Sequence, residues 1–274
     1  MLTSSPFSLP ESDAVMSTYS VKDKVALVTG GARGIGFETA RHLIERGARV
    51  AIVDQDYLAS GAAAHRLGDR AIALPADVTD SIAMVDVVDE VVLRLGRLDV
   101  VVAGASVTPE PSTTCAMTPL EFESVLDVNL FGVYRTVHPA LPHIIANRGH
   151  AVLVASVYTF DDGVLPAPYA LSKAGVEQFG RSLRGELVER GATLGVASLA
   201  FTKTVIAREG FDSAGKAITD GIESRAPWVM TPKRRRTPSR LRGLLSHASD
   251  ARTERSATIE DDARDADLLQ LFKA

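Results

Sequence analysis

The sequence predicts an α/β protein with a Rossmann-like, doubly wound parallel sheet of about seven strands flanked by helices. From Lys24 onwards, short apolar runs alternate with longer amphipathic stretches. Each run consists mostly of Val, Ile, Leu and Ala with little polar alternation, which is typical of strands covered by helices on both faces. A glycine-rich turn joins the first run to the first amphipathic stretch. This rhythm indicates a single sheet built from successive βα units.

The predicted strands follow one another along the whole patterned region. They are KVALVT, ARVAIVD, AIALPAD, LDVVVAG, HAVLVAS, TLGVASLAF and a final edge strand, WVMTP. Helices lie between them, including one long helix around FESVLDVNLFGVYRTVHPALPHI. Another runs from about Pro168 to Arg190, and a shorter one ends near Ser224.

The 274 residues divide into one large domain and two extensions. Residues 1–20 are rich in Ser, Thr and Pro and lack a helical or strand period, so we expect a flexible leader. Residues 21–231 form the catalytic domain, and residues 232–274 form a loosely ordered C-terminal extension. Its run KRRRTPSRLR is interpreted as a solvated charge cluster, with contact to phosphate or an acidic partner as the alternative.

Composition excludes several classes of protein. The chain is 46% hydrophobic and 23% charged, which is typical of a globular protein. It contains 30 Lys and Arg residues and 34 Asp and Glu residues, so its net charge is −4. A negative net charge does not favour binding to nucleic acid. Cys115 is the single cysteine, and no Cys/His spacing suggests a metal site. Without a secretory signal or a membrane-spanning apolar run, we expect a cytoplasmic protein that binds no membrane.

The glycine-rich turn is a candidate cofactor site. It reads Thr-Gly-Gly-Ala-Arg-Gly-Ile-Gly from Thr29 to Gly36, directly after a strand and directly before a helix. Glycines permit a tight turn and close approach of the backbone to a phosphate, and the helix that follows presents unpaired N–H groups. We therefore assign pyrophosphate binding to this turn, with the cofactor-binding residues Gly30, Arg33, Gly34, Ile35 and Gly36.

Asp54 ends the next strand, where a carboxylate can accept hydrogen bonds from the adenosine ribose. The same carboxylate repels a 2′-phosphate, so Asp54 favours NAD over NADP. Arg33 favours NADP, because a cation in the turn can pair with that phosphate. We give Asp54 the greater weight and predict NAD as the cofactor.

The spacing of three polar residues points to acid–base chemistry. Tyr169 and Lys173 are four residues apart at the start of a predicted helix, so they share one helix face. A nearby ammonium lowers the pKa of a phenol by stabilising phenolate. Ser156 lies at the carboxyl end of HAVLVAS, the edge of an open α/β sheet at which ligands bind.

These motifs together resemble the short-chain dehydrogenase/reductase family over roughly residues 21 to 230. The matching features are TGGARGIG, Asp54, Asp77-Val78, Asn129 in DVNLFG, Ser156 and YALSK.

The resemblance implies a role for each catalytic residue. Tyr169 is expected to donate or accept the proton, and Lys173 to lower the Tyr169 pKa and hold the nicotinamide ribose. Both residues are therefore also expected to bind the cofactor. Ser156 is expected to orient the substrate oxygen, and Asn129 to assist a proton relay through water.

The resemblance also implies cofactor contacts and an assembly. Asp77 and Val78 are expected at the adenine, and Thr204 at the nicotinamide carboxamide. Because family members commonly pair the helices around Asn129 and Tyr169, we expect a homotetramer or dimer.

The chain departs from the family pattern at three places. Gly104 replaces an asparagine after the fourth strand, and Leu199-Ala200 replaces a Pro-Gly pair. The span from Phe201 to Ile218 is short for a substrate-covering segment.

The predicted function is hydride transfer between NAD and an apolar secondary alcohol or ketone. The apolar substrate is suggested by Phe160, Val164, Leu165 and Pro166 near the predicted site. One alternative is an NADP-dependent reductase of the 3-oxoacyl type, suggested by Arg33. The other is a nucleotide-binding scaffold with weak or no turnover, suggested by the departures from the family pattern.

Overall fold

A computed structural model describes residues 19–110, 112–157, 167–199 and 208–231 of the chain. The strands are β1 (Val25–Thr29), β2 (Arg49–Asp54), β3 (Ala71–Pro75), β4 (Val100–Ala103), β5 (His150–Ser156), β6 (Thr193–Leu199) and β7 (Trp228–Thr231). The helices are α1 (Gly34–Glu45), α2 (Tyr57–Leu67), α3 (Ser81–Leu95), α4 (Pro119–Leu126), a π-helix (Asp127–Phe131), α5 (Gly132–Ala146), α6 (Ala167–Val188) and α7 (Arg208–Glu223).

All the described strands belong to one parallel sheet, which confirms the predicted fold class. Their order is β3-β2-β1-β4-β5-β6-β7, with β7 at the predicted edge. Strands β2 and β3 follow β1 towards one edge of the sheet. The chain then returns to the other side of β1, where β4 to β7 follow one another towards the opposite edge, so the order reverses between β1 and β4. Such a reversal opens a crevice at the carboxyl ends of the strands.

The apolar runs became strands because both faces of the sheet are covered. Along β1, Val25 and Leu27 belong to the hydrophobic core that includes residues of α3, α5 and α6. Ala26 and Val28 belong to a second core that includes residues of α1 and α7. Alternate residues of one strand therefore serve opposite layers, and a continuous apolar run is required.

The long helix predicted around FESVLDVNLFG is divided into three parts. The wider turn of the π-helix separates α4 from α5, and the Gly132 N–H bonds to the Asp127 carbonyl. A π-turn accommodates an extra residue within a helix, and such turns are frequent at functional sites. Asn129 lies in this turn and is fully buried, so the helix deviates where it carries a predicted site residue.

Helix α7 packs closely on α1. A Cβ on Gly215 would lie 2.6 Å from the Glu38 carbonyl carbon, so the two helix backbones are in contact. Arg46, directly after α1, forms ion pairs with Asp220 at 2.5 Å and with Glu223 at 2.8 Å. The contact and the ion pairs hold the two helices together on the same face of the sheet.

The polypeptide before β1 also contacts α7. The Tyr19 N–H donates to the Glu223 carbonyl at 2.7 Å, and the Tyr19 ring lies 4.3 Å from the Arg225 guanidinium carbon. The contacts therefore begin within the span assigned to the leader, whereas residues 1–18 and the extension 232–274 lie outside the described part of the chain. Among the described helices, none is long and apolar enough to cross a membrane.

Candidate active site

The candidate site lies at the carboxyl edge of the sheet, beside the reversal of strand order. Thr29, Asp54, Ala103 and Ser156 end four of the strands at this edge. Ligands in open α/β sheets bind outside such strand ends. The two predicted site residues that end strands, Asp54 and Ser156, therefore share one edge of the sheet.

Glycines of the turn after β1 occupy space that no side chain could share. A Cβ on Gly36 would lie 2.1 Å from the Gly30 carbonyl oxygen, and a Cβ on Gly30 would lie 2.9 Å from the Ala105 Cα. Gly30 and Gly34 also have φ of +67° and +55°, which favours glycine. Ile35 packs against the core beneath the turn. The turn thus brings three backbone segments together.

The first turn of α1 has no side-chain cap. Its N-cap residue, Arg33, makes no capping hydrogen bond, and the first turn contains no acidic residue. By contrast, Asp56, Asp80 and Thr118 accept backbone N–H groups at the starts of α2, α3 and α4. The amino end of α1 can therefore offer its N–H groups and positive dipole end to an anion.

The Asp54 carboxylate is fixed at the end of β2 by two backbone donors. One oxygen accepts the Ala32 N–H at 3.3 Å, and the other accepts the Asp56 N–H at 3.2 Å. The carboxylate is thus attached to the glycine turn on one side and to the start of α2 on the other. This is the location that the sequence assigned to a ribose-binding group.

Arg33 forms an ion pair with Asp56, a residue that the sequence motifs do not indicate. Its Nη2 lies 2.7 Å from an Asp56 oxygen, and the other Asp56 oxygen accepts the Ala59 N–H at 2.9 Å. These contacts, that of the Ala59 N–H foremost, hold the pKa of the Asp56 carboxyl below its usual range. The positive charge of Arg33 is therefore paired with the ionised Asp56 carboxylate at the same edge of the sheet.

Asp77 and Val78 follow β3 and differ in exposure. Asp77 is exposed, and its Oδ1 accepts the Thr79 N–H at 2.9 Å. Val78 is buried, and a Cβ on Gly132 would lie 2.6 Å from its Cγ2. Val78 thus packs the segment after β3 against α5, and their contact with adenine stays a prediction.

Thr29 provides a link across the reversal of strand order. Its Oγ1 accepts the Gly104 N–H at 3.1 Å and is 3.4 Å from the Ala105 N. The end of β1 is thereby joined to the segment after β4. A side-chain hydroxyl on β1 therefore makes a connection at the position where the asparagine of the family pattern is absent.

Both the oxygen and the nitrogen of the Asn129 side-chain amide form hydrogen bonds within the protein. Its Oδ1 accepts the Val107 N–H at 2.8 Å, and its Nδ2 donates to the Val107 carbonyl at 2.9 Å. The Nδ2 also donates to the Ser172 Oγ at 3.3 Å, and that hydroxyl donates to the Tyr169 carbonyl at 2.7 Å. Asn129 therefore connects the segment after β4 to the first turns of α6.

Tyr169 and Lys173 lie on the buried face of α6, close to the end of β5. Tyr169 is 6% exposed and Lys173 is 2% exposed. The Lys173 Nζ donates to the Val154 carbonyl at 3.1 Å and lies 5.7 Å from the centre of the Tyr169 ring. Ser156, two residues after Val154, is fully buried and its Oγ lies 3.4 Å from the Leu199 carbonyl oxygen. The structure thus places Ser156 and the Lys173 ammonium at the end of β5, with the Tyr169 ring beside Lys173.

A profile of the short chain dehydrogenase family matches residues 24–214. The chain belongs to the short chain dehydrogenase family. It is 35% identical over 198 residues to momilactone A synthase of Oryza sativa subsp. japonica, covering 71% of this chain and 72% of that protein. It is 30% identical over 190 residues to a 3-oxoacyl-[acyl-carrier-protein] reductase of Salmonella typhimurium, covering 69% and 78%.

A solved structure shares this architecture. The crystal structure of the apo form of LigD from Sphingobium sp. strain SYK-6 matches with a TM-score of 0.73 and 26% identity. The match covers 86% of this chain and 98% of LigD. The predicted enzyme class is confirmed: this dehydrogenase is an NAD(P)-linked oxidoreductase that acts on CH–OH groups.

The residues present in this dehydrogenase fit the nicotinamide cofactor of the family. Side chains are excluded at Gly30 and Gly36 by backbone contacts, and the start of α1 lacks a side-chain cap. A pyrophosphate needs both features, because its oxygens must approach backbone N–H groups closely. The Asp54 carboxylate lies beside the turn, where ribose hydroxyls can donate to it.

Some predicted residues of the dehydrogenase lie outside the described part of the chain. These are Ala200, Thr204 and the apolar residues Phe160, Val164, Leu165 and Pro166. Sequence reasoning also missed three residues that the structure places at the site, Thr29, Asp56 and Ser172. Asp56 could have been found as an N-cap signal before α2, whereas Thr29 and Ser172 act through contacts between distant segments.

Burial of Lys173 has a measurable consequence for the dehydrogenase. Removal from water lowers the Lys173 pKa from 10.5 to about 8. The ammonium keeps a hydrogen bond to the Val154 carbonyl, but no carboxylate forms an ion pair with it among the described residues. The fold therefore bears an energetic cost for keeping a cation beside Tyr169.

We predict that this cost appears as pH-dependent stability. Between pH 8 and 10.5 the unfolded chain binds a proton at Lys173 that the folded chain has released, so the free energy of unfolding rises with pH. A shift of this size corresponds to about 3 kcal/mol. Urea unfolding of wild type and Lys173→Met across this range measures it, and the variant should lack the rise.

Lys216→Met is the matched control, because Lys216 lies on the exposed face of α7 and is 57% exposed. Its unfolding free energy should run parallel to that of wild type. Parallel curves for Lys173→Met and wild type would contradict the assignment.

Proposed function

We propose that the protein transfers hydride between NAD and apolar secondary alcohols or the corresponding ketones, with Tyr169 as the acid–base residue. The observation that carries the chemistry is the placement of Lys173, whose buried ammonium is 3.1 Å from the Val154 carbonyl oxygen and 5.7 Å from the centre of the Tyr169 ring. An ammonium in this environment stabilises phenolate more than it could in water.

In the oxidising direction Tyr169 accepts the proton of the substrate hydroxyl. The bound cofactor supplies the hydride acceptor. Lys173 favours the phenolate form of Tyr169, and its remaining N–H donors can hold a ribose hydroxyl. Ser156 orients the substrate oxygen towards Tyr169. In the reducing direction, Tyr169 returns the proton to the carbonyl oxygen.

Asn129 positions this group of residues. Its side-chain amide is occupied by Val107 and Ser172, so any proton relay at Asn129 would use its main chain and water. The side chain instead connects the segment after β4 to the helix turn that carries Tyr169. A small displacement of that turn would misplace the proton acceptor, and catalysis depends strongly on such geometry.

We predict that Tyr169→Phe lowers the rate by about 10² to 10⁴, the usual contribution of a positioned acid–base group. Cofactor binding should remain, because the substitution removes only the phenolic oxygen of a buried side chain. The measurement is reduced-nicotinamide absorbance across a panel of secondary alcohols and ketones. Ser156→Ala should mainly lower the rate, whereas Lys173→Ala should lower both the rate and cofactor affinity.

The pH profile gives an independent test of the same assignment. Alcohol oxidation should rise with pH through an ionisation below the free phenol value of about 10, and Lys173→Ala should move it upwards. Retention of most activity by Tyr169→Phe would show that another group moves the proton.

The preference for NAD rests on the charges beside the glycine turn. Asp54 and Asp56 bring two carboxylates to this edge, and Arg33 brings one cation that already pairs with Asp56 at 2.7 Å. A 2′-phosphate would meet the Asp54 carboxylate and would compete with Asp56 for Arg33. Although an exposed ion pair contributes little to stability, this pairing reduces the advantage that Arg33 could give to NADP.

We predict that NAD binds more tightly than NADP and that Asp56→Asn narrows the difference. Asparagine is as good an N-cap as aspartate, so α2 keeps its cap while Arg33 loses its charged partner. Titration calorimetry should show NADP affinity rising by about threefold to tenfold. Asp54→Ala should raise it as well.

The double variant Arg33→Ala/Asp56→Asn is the control, because it removes the cation that Asp56→Asn releases. The double variant should not show the increase in NADP affinity that is expected for Asp56→Asn. A wild-type preference for NADP, or an unchanged ratio of NAD to NADP affinity in Asp56→Asn, would contradict the proposed discrimination between the two cofactors.

An NADP-dependent reductase of the 3-oxoacyl type is the second candidate. It is favoured by Arg33 and by the similarity to the Salmonella typhimurium reductase. The two candidates predict opposite cofactor preferences, and a 3-oxoacyl thioester in the substrate panel would separate their substrates. Binding of nucleotide without hydride transfer across the panel would instead favour the scaffold.

We also propose that the protein forms a homotetramer or dimer through helices α5 and α6. Phe131 and Tyr134 are 52% and 48% exposed, and Leu171 on α6 is 51% exposed. The Tyr134 ring lies 6.2 Å from that of Phe179, so the aromatic surface extends across both helices. A second copy would cover this apolar surface.

Light scattering at micromolar concentration should give a mass of at least two chains. Tyr134→Glu should lower the mass by placing a charge in the contact. A monomeric wild type would contradict this prediction.

A further inference from the structure

The ring of Phe211 bounds the space beside Gly34 in the glycine-rich turn. A Cβ placed on Gly34 would be 3.9 to 4.0 Å from three ring carbons of Phe211, at van der Waals distance. Gly34 is the first residue of α1, and Phe211 lies in the first turn of α7. An aromatic side chain of α7 therefore lies beside the proposed pyrophosphate site.

The neighbouring residue fixes the position of Phe211. The Asp212 carboxylate pairs with the Arg41 guanidinium and lies 3.0 Å from the His42 Nε2. Gly215, one turn further along α7, touches the backbone of α1 at Glu38. Phe211 is therefore held beside Gly34 by contacts on the same helix pair.

We propose that Phe211 is a positioning residue that forms one wall of the pyrophosphate site. The proposal rests on the cofactor site described above and adds a residue to it. The ring is only partly buried, so part of its surface can face a ligand at the start of α1. An apolar wall there limits water on one side of the N–H groups and strengthens their hydrogen bonds to phosphate.

The position of the ring makes its effect specific to one part of the ligand. Gly34 lies at the amino end of α1, where phosphate oxygens approach the backbone, whereas Asp54 lies at the end of β2, where the adenosine ribose is expected. Loss of the ring should therefore weaken ligands that contain the pyrophosphate and leave adenosine unaffected. A general loosening of the fold would weaken both.

The test measures binding of ADP-ribose and adenosine to the full-length protein by titration calorimetry. Phe211→Ala should raise the Kd for ADP-ribose about tenfold and leave the Kd for adenosine unchanged. Phe211→Leu keeps an apolar side chain and should recover most of the affinity. In steady-state assays, Phe211→Ala should raise the KM for NAD with little change in kcat.

Lys216→Ala is the matched control, because Lys216 lies on the exposed face of the same helix. It should bind ADP-ribose like wild type. Equal or tighter binding of ADP-ribose to Phe211→Ala overturns the inference, and so does an equal loss for adenosine. If wild type binds neither ADP-ribose nor NAD, the cofactor site itself is wrong and the inference fails with it.

Discussion

Close contact between backbone segments at the turn after β1 constrains the segments around it. The Gly30 carbonyl occupies the place of a Gly36 side chain, and Ala105 blocks a side chain on Gly30. Because α1 starts immediately after this contact, its N–H groups face the reversal of strand order. The same contact sets the distance between β1 and the segment after β4, which leads to Asn129 through Val107.

Charge at this edge is arranged in two separate regions. Near the proposed adenosine side, two carboxylates and one arginine are exposed or half-buried, so their interactions are screened by water, and their proposed role is in cofactor selectivity. Near Tyr169, one lysine is nearly fully buried and its pKa falls to about 8. A charge in that environment acts strongly on a neighbouring phenol, and the fold must supply the energy to keep it there.

The sequence was sufficient to predict the sheet, the glycine turn and the residues that meet at the end of β5. These follow from local pattern: apolar runs covered on both faces, glycines between a strand and a helix, and a spacing of four on one helix face. The π-turn at Asn129 could not be predicted, because it depends on contacts with Val107 and Ser172 far along the chain. The Thr29 link and the approach of Phe211 to Gly34 were missed for the same physical reason. Both depend on distances between segments that periodicity does not encode.

The departure at Gly104 supports a scaffold without turnover less than the sequence alone suggests. A Cβ at this position would lie 3.0 Å from the Thr29 carbonyl and 3.6 Å from the Val154 Cγ2, so little room exists for a larger side chain. The Gly104 N–H instead donates to the Thr29 hydroxyl. Glycine and threonine therefore form a compatible pair that joins the two central strands, and the link is made from β1 instead of β4. Because the Val154 carbonyl also accepts a hydrogen bond from the Lys173 ammonium, this close packing extends to the residue proposed to support the proton acceptor.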